Sequence, residues 1–106
     1  MAVDFTAAAR RIIAAAEGGV IAAAEVVKQD AINRAPAETG ELRNSGNTDA
    51  DGLEATIYFD TPYAVRQHEE LGYHHEIGEA KYLENAVIGN RETVGRVISQ
   101  AIRNAL

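Results

Sequence analysis

Apolar residues recur every three or four positions through the first third of the chain, at Phe5, Ala9, Ile12, Ile13, Ala16, Val20, Ala23, Ala24, Val27 and Ala31. That spacing collects them on one face of a helix and predicts a helix over 4–34. Asp4 or Thr6 is placed to accept a free N–H of its first turn. Gly18-Gly19 interrupts the pattern. A glycine costs about 1 kcal/mol relative to alanine inside a helix, so the pair implies a kink or a second backbone packed closely against that point. Pro36 disfavours the α conformation at Ala35, which sets the end of the helix near Arg34.

The period then changes. "APAETGELRNSGNTDADG" (35–52) is dense in turn formers. It predicts a short strand around 41–45, then a mobile acidic hairpin loop over 47–52. In "LEATIYFD", Leu53, Ala55, Ile57 and Phe59 alternate with Glu54, Thr56, Tyr58 and Asp60, the signature of a strand with one buried and one wet face. Thr61-Pro62 closes it. Beyond, 64–70 is expected as a short helix, 72–78 as loop, and "AKYLENAV" (80–87) as a turn of helix. Asn90 is positioned to cap a last helix over 91–104. There Val94, Val97, Ile98, Ala101, Ile102 and Ala105 form one stripe opposite Glu92, Arg96, Gln100 and Arg103. Helix, loop and strands over 35–60, short helix or loop over 61–88, then helix: this order predicts one α+β domain spanning 1–106. A long N-terminal helix and a C-terminal helix pack on a small antiparallel sheet.

Composition changes the picture in one respect. Of 106 residues 20 are alanine, with two Phe and no Trp, so the apolar fraction overstates the core. Such a chain packs helices closely or gains stability from copies of itself, and an oligomer is expected. The formal net charge is −6. With the basic residues scattered along the chain, nucleic-acid binding is not expected as its main activity. There is no cysteine, which excludes disulfides and thiolate chemistry. The start, "MAVDFTAAARR", does not read as a signal peptide, and no apolar run reaches the ~20 residues of a membrane span. A soluble protein made in the cytoplasm is expected.

The candidate chemistry concentrates in "PYAVRQHEELGYHH" (62–75), which holds all three histidines. A metal site would need them to converge. The H-E-x-x-H motif places two histidines at i and i+4 on one helical face, whereas His74 follows His68 by six positions, across Gly72. Only a loop could gather His68, His74 and Glu76; the plainer reading of His74 and His75 is an exposed loop. Glu69 and Glu70 point about 100° apart on a helix, so they do not form an acid–base pair. Ser45 and Ser99 lack the G-x-S-x-G elbow, and Gly40, Gly46 and Gly52 fit no phosphate-binding spacing. No cofactor or metal is expected. Tyr63, Tyr73 and Tyr82 remain as interface anchors, with core packing as the alternative for Tyr63 and Tyr82.

Three separated segments carry a resemblance. "APAETGELRNS" (35–45) is similar to the A-P-x-x-T-G-x-L-x-x-S segment of the minor-capsid, neck and tail-completion proteins of long-tailed double-stranded DNA phages. "PYAVRQHEE" (62–70) resembles their Y-A-x-x-x-E segment. "AKYLENAV" (80–87) resembles their aromatic-Leu segment before the last helix. The chain departs from the family pattern at "EELGYHH" and at Asn85, where many members have an E-F-G-T-like turn and a proline.

The resemblance implies a non-enzymatic virion part, assembled in the host cytoplasm as a homo-oligomeric ring between the portal-side connector and the tail. DNA would pass without specific binding, and connector and tail proteins would be its neighbours. Candidate interface residues are then Tyr63, His68, Glu69, Tyr73, His74, His75 and Tyr82, with Asn47, Thr48, Asp49 and Asp51 on a docking or channel loop. Gly72 to His75 would make assembly mildly sensitive to pH near neutrality. Two alternatives stand beside it: a small metal-dependent enzyme using His68, His74 and His75, and a bacterial protein–protein adaptor.

Overall fold

A computed structural model describes residues 1–36, 40–59 and 81–106. Helix α1 spans Thr6–Arg34 without a break. The Asp4 carboxylate accepts the Thr6 N–H at 2.8 Å and the Thr6 hydroxyl, satisfying one open donor of the first turn. Those two bonds hold the Asp4 carboxyl below its ordinary range.

After Pro36 the chain forms α2, Glu41–Asn44, where a strand was expected. Gly40 enters it at φ 75°, a left-handed conformation that favours glycine. The turn delivers two side chains to α1. Leu42 is buried, and Arg43 donates to the carbonyls of Ala35 at 2.9 Å and Asn33 at 3.0 Å. A cation thereby satisfies carbonyls that the end of α1 leaves open.

Strand β1, Gly46–Asp51, pairs antiparallel with β2, Glu54–Phe59, in the register Gly46 to Phe59 through Asp51 to Glu54. The expected hairpin loop over 47–52 is therefore mostly strand. Only Gly52 and Leu53 form the turn, with positive φ (60°) at Gly52 alone, the type II′ pattern. The alternation expected in β2 holds from Glu54 onward: Ala55, Ile57 and Phe59 face inward, while Glu54, Thr56 and Tyr58 are exposed. Leu53, expected on the buried face, sits in the turn and is exposed.

Helix α3, Tyr82–Gly89, and helix α4, Arg91–Ala105, complete the described chain. Asn90 occupies the position before α4 but does not cap it with its side chain. Its amide donates instead to Asp30 Oδ2 at 2.6 Å and to the Ala86 carbonyl at 2.8 Å. Asp30 also accepts from Arg34 Nε at 3.1 Å, so one carboxylate ties the end of α1 to the α3–α4 junction.

The arrangement is α+β: α1 and α4 pack with a two-stranded antiparallel sheet. Its core sits at one end. Ala35, Leu42 and Tyr82 form one buried cluster, and Val27, Ala31 and Ala86 a second, with Phe59 and Leu83 packed against both. The Phe59 and Tyr82 rings meet edge to face, centroids 5.0 Å apart.

From the Asn90–Asp30 contact, α4 runs back antiparallel along α1 and crosses it at Gly19. A Cβ built on Gly19 would lie 3.0 Å from Ile98 Cα and 3.1 Å from the Ala101 methyl. Of the two explanations for the glycine pair, close backbone packing is the one realised at Gly19; Gly18 has nothing within 4 Å. The two helices form an arm. The molecule measures 68 × 23 × 18 Å with a radius of gyration of 17.4 Å, against about 13 Å for a compact chain of about this length.

Candidate functional site

Of the interface candidates, Tyr63, His68, Glu69, Tyr73, His74 and His75 lie outside the described residues, as do the expected helix over 64–70 and the loop over 72–78. Tyr82 is described, and it corrects the interface reading. It is 1% exposed, the largest fully buried side chain among the described residues, and burial pushes its phenol up to about 12. A ring enclosed by Ala35, Leu42 and Phe59 is an anchor of the chain's own core and presents no surface to a partner.

Asn47, Thr48, Asp49 and Asp51 are corrected in a different way. They are strand residues held in a fixed register by β2, and not a loop. Their side chains divide between the two faces. Thr48 turns inward beside α1, its buried hydroxyl facing the Glu25 carboxylate and helping to lower its pKa. Nearby on α1, Lys28 contacts the Glu25 carboxylate at 2.8 Å and is the main cause of its lowered pKa. Asn47, Asp49 and Asp51 are exposed, as is Glu54 across the turn. The hairpin therefore shows water three carboxylates and no cation, with Leu53 at its tip 56% exposed.

The arm presents the opposite character. Helix α4 has no buried residue, so its apolar stripe is only half-covered by α1. Phe5, just before α1, and Ile13 and Ile21 on it remain well exposed. The first half of α1 (6–20) together with α4 carries five arginines against two glutamates. Arg10, Arg11, Arg91, Arg96 and Arg103 are all exposed. Among the described residues none of these arginines takes part in an ion pair. The basic residues are scattered in sequence but half of them gather on one structure. Sequence reading missed this because the antiparallel return of α4 brings the two groups together, and nothing local encodes it.

The described residues offer little to a reaction. No group of three or more His, Asp or Glu side chains among them could hold a metal ion. The shallow cleft along α4 is lined by Gly95, Arg96, Val97, Ser99, Gln100 and Arg103, a set without an acid–base pair. Among the described residues no helix is long and apolar enough to cross a membrane. The chain matches no protein-family model, and no curated protein or solved structure is significantly similar to it.

The segment over 35–45 does acquire a physical rationale. Gly40 supplies the left-handed entry to α2, Leu42 fills the core, and the Ser45 hydroxyl donates to the Leu42 carbonyl at 2.7 Å. Tyr82 and Leu83, the aromatic-Leu pair of the segment over 80–87, both pack in the core. These positions serve the fold, and what they build is a small core with a long, partly uncovered arm.

Proposed function

We propose that the chain is a non-enzymatic structural component of the neck of a long-tailed double-stranded DNA phage, forming a homo-oligomeric ring between the portal-side connector and the tail. The observation that carries this reading is the ordered occurrence of three segments similar to the family, over 35–45, 62–70 and 80–87. The shape is compatible with it. A core confined to one end leaves α4 without a fully buried residue and Phe5, Ile13 and Ile21 in water. Contact with neighbouring copies would cover such surfaces and remove their hydration cost. A net charge of −6 suits a conduit through which DNA slides without adhering.

The test is reconstitution. Co-expression with the portal, connector and tail-tube proteins encoded beside it should yield ring-bearing particles in electron micrographs, with this chain in stoichiometric amount. A chain that neither joins such particles nor has such genes as neighbours is not a neck protein.

A further inference from the structure

Both strands of the hairpin pack on α1, but the hairpin tip and the free half of the arm carry exposed charges of opposite sign. The hairpin tip exposes Leu53 between carboxylates: Asp49 and Asp51 on one strand, Glu54 on the other. The free half of the arm exposes Phe5 and Ile13 among guanidiniums: Arg10 and Arg11 on α1, Arg103 on the last turn of α4. Two acids, the exposed Asp4 and the half-buried Glu17, lie in that stretch against the three arginines and leave its balance positive. Among the described residues no ion pair links the two regions, and none of these charged groups is paired elsewhere. An apolar centre rimmed by charge is the ordinary anatomy of a protein interface, and here the two rims have opposite signs.

We propose that this chain self-associates head to tail, the acidic hairpin tip of one copy seated on the arginine-bearing free half of the α1–α4 arm of the next. Different surfaces on the two copies make the contact heterologous, so every added copy leaves one arm and one hairpin open. Assembly of this kind closes into a ring when the rotation between copies permits and otherwise grows as a filament. The inference deepens the ring reading and rests on its self-association, but not on its phage setting. Opposed charges also set register and disfavour arm-to-arm and hairpin-to-hairpin pairing, where like charges would meet.

The experiment uses two charge-reversed full-length proteins, Arg11→Glu with Arg103→Glu, and Asp51→Lys with Glu54→Lys. All four positions are exposed, and circular dichroism with thermal melting verifies that each protein folds. Sedimentation velocity should show wild-type oligomers that weaken as salt rises. Each variant alone should lose about tenfold or more in self-association. Mixing the two should restore assembly, now alternating, because each reversed arm meets a reversed hairpin.

A wild type that is monomeric at every concentration overturns the proposal. So do variants that still associate, or a mixture that stays dissociated. If Arg11→Glu with Arg103→Glu abolishes retention on duplex DNA but leaves self-association intact, the arm serves a polyanion and the proposal fails. A chain that assembles this way but never enters a neck particle sinks the phage reading alone. A monomer that does enter one sinks this inference alone.

Discussion

At one end of the molecule a tyrosine ring is closed off from water between Ala35, Leu42 and Phe59; at the other, two helices touch through Gly19, Ile98 and Ala101 and leave their outer sides wet. Both contacts join α1 to later parts of the chain, but by different physics. The core end buries large apolar groups and gains hydrophobic stabilisation. The arm brings backbones close together, which yields dispersion contacts from small groups and little area removed from water. A chain built in this way can keep its fold while the arm remains available for another copy to cover.

The largest effect should follow from emptying the core end. Tyr82→Ala removes the ring that contacts Phe59 edge to face and should cost about 3–5 kcal/mol, a large share of the roughly 5–15 kcal/mol that holds a domain folded. Ile102→Ala, on the half-covered stripe of α4, should cost less, about 1–2 kcal/mol, since its side chain is only partly buried. Urea unfolding followed by circular dichroism measures both. Equal losses would mean that the arm is as well buried as the core, and the contrast would collapse.

Tyr82 also gives the core end a dependence on alkaline pH. Burial raises its folded pKa from 10.0 to about 12, so the folded state holds the phenolic proton more tightly than the unfolded state does. That contribution is complete below pH 10 and is lost as the pH rises towards 12. Two units correspond to roughly 2–3 kcal/mol at most. In urea titrations stepped across that window, the wild type should lose stability more steeply than Tyr82→Phe. Parallel curves would show that the phenol is hydrated in the folded state.

How much of this was legible beforehand depends on the range of the interactions. Helix α1, the alternation in β2 and the stripe of α4 are written in local periodicity, and they form within a residue or two of their expected bounds. Strand β1 is not written there: "GNTDAD" is poor in strand-forming residues. It becomes a strand because β2 offers a pairing edge and the Gly52 turn sets the register. Residues 41–45 misled in the opposite direction, since the left-handed Gly40 and the burial of Leu42 select a helical turn. Tyr82 was readable as core or interface, and only packing decides between those. The acidity of the hairpin is local in the sequence, whereas the arginine-bearing arm that opposes it emerges only from the antiparallel return of α4.

The smallest predicted effect tests the arm at single-atom scale, using two adjacent glycines in one helix. Replacing glycine by alanine inside a helix gains about 1 kcal/mol where space allows. At Gly18 nothing lies within 4 Å of the new methyl, so Gly18→Ala should stabilise the protein by up to about that amount. At Gly19 the methyl would arrive 3.0 Å from the Ile98 backbone and 3.1 Å from Ala101. Helix α4 must then move outward or strain, at a cost of about 1–3 kcal/mol that cancels or exceeds the gain. Gly19→Ala should therefore melt below Gly18→Ala, and below the wild type if α4 resists displacement. If the two variants are equally stabilised, α4 drifts freely on α1, and the close approach at Gly19 contributes nothing to holding the arm together.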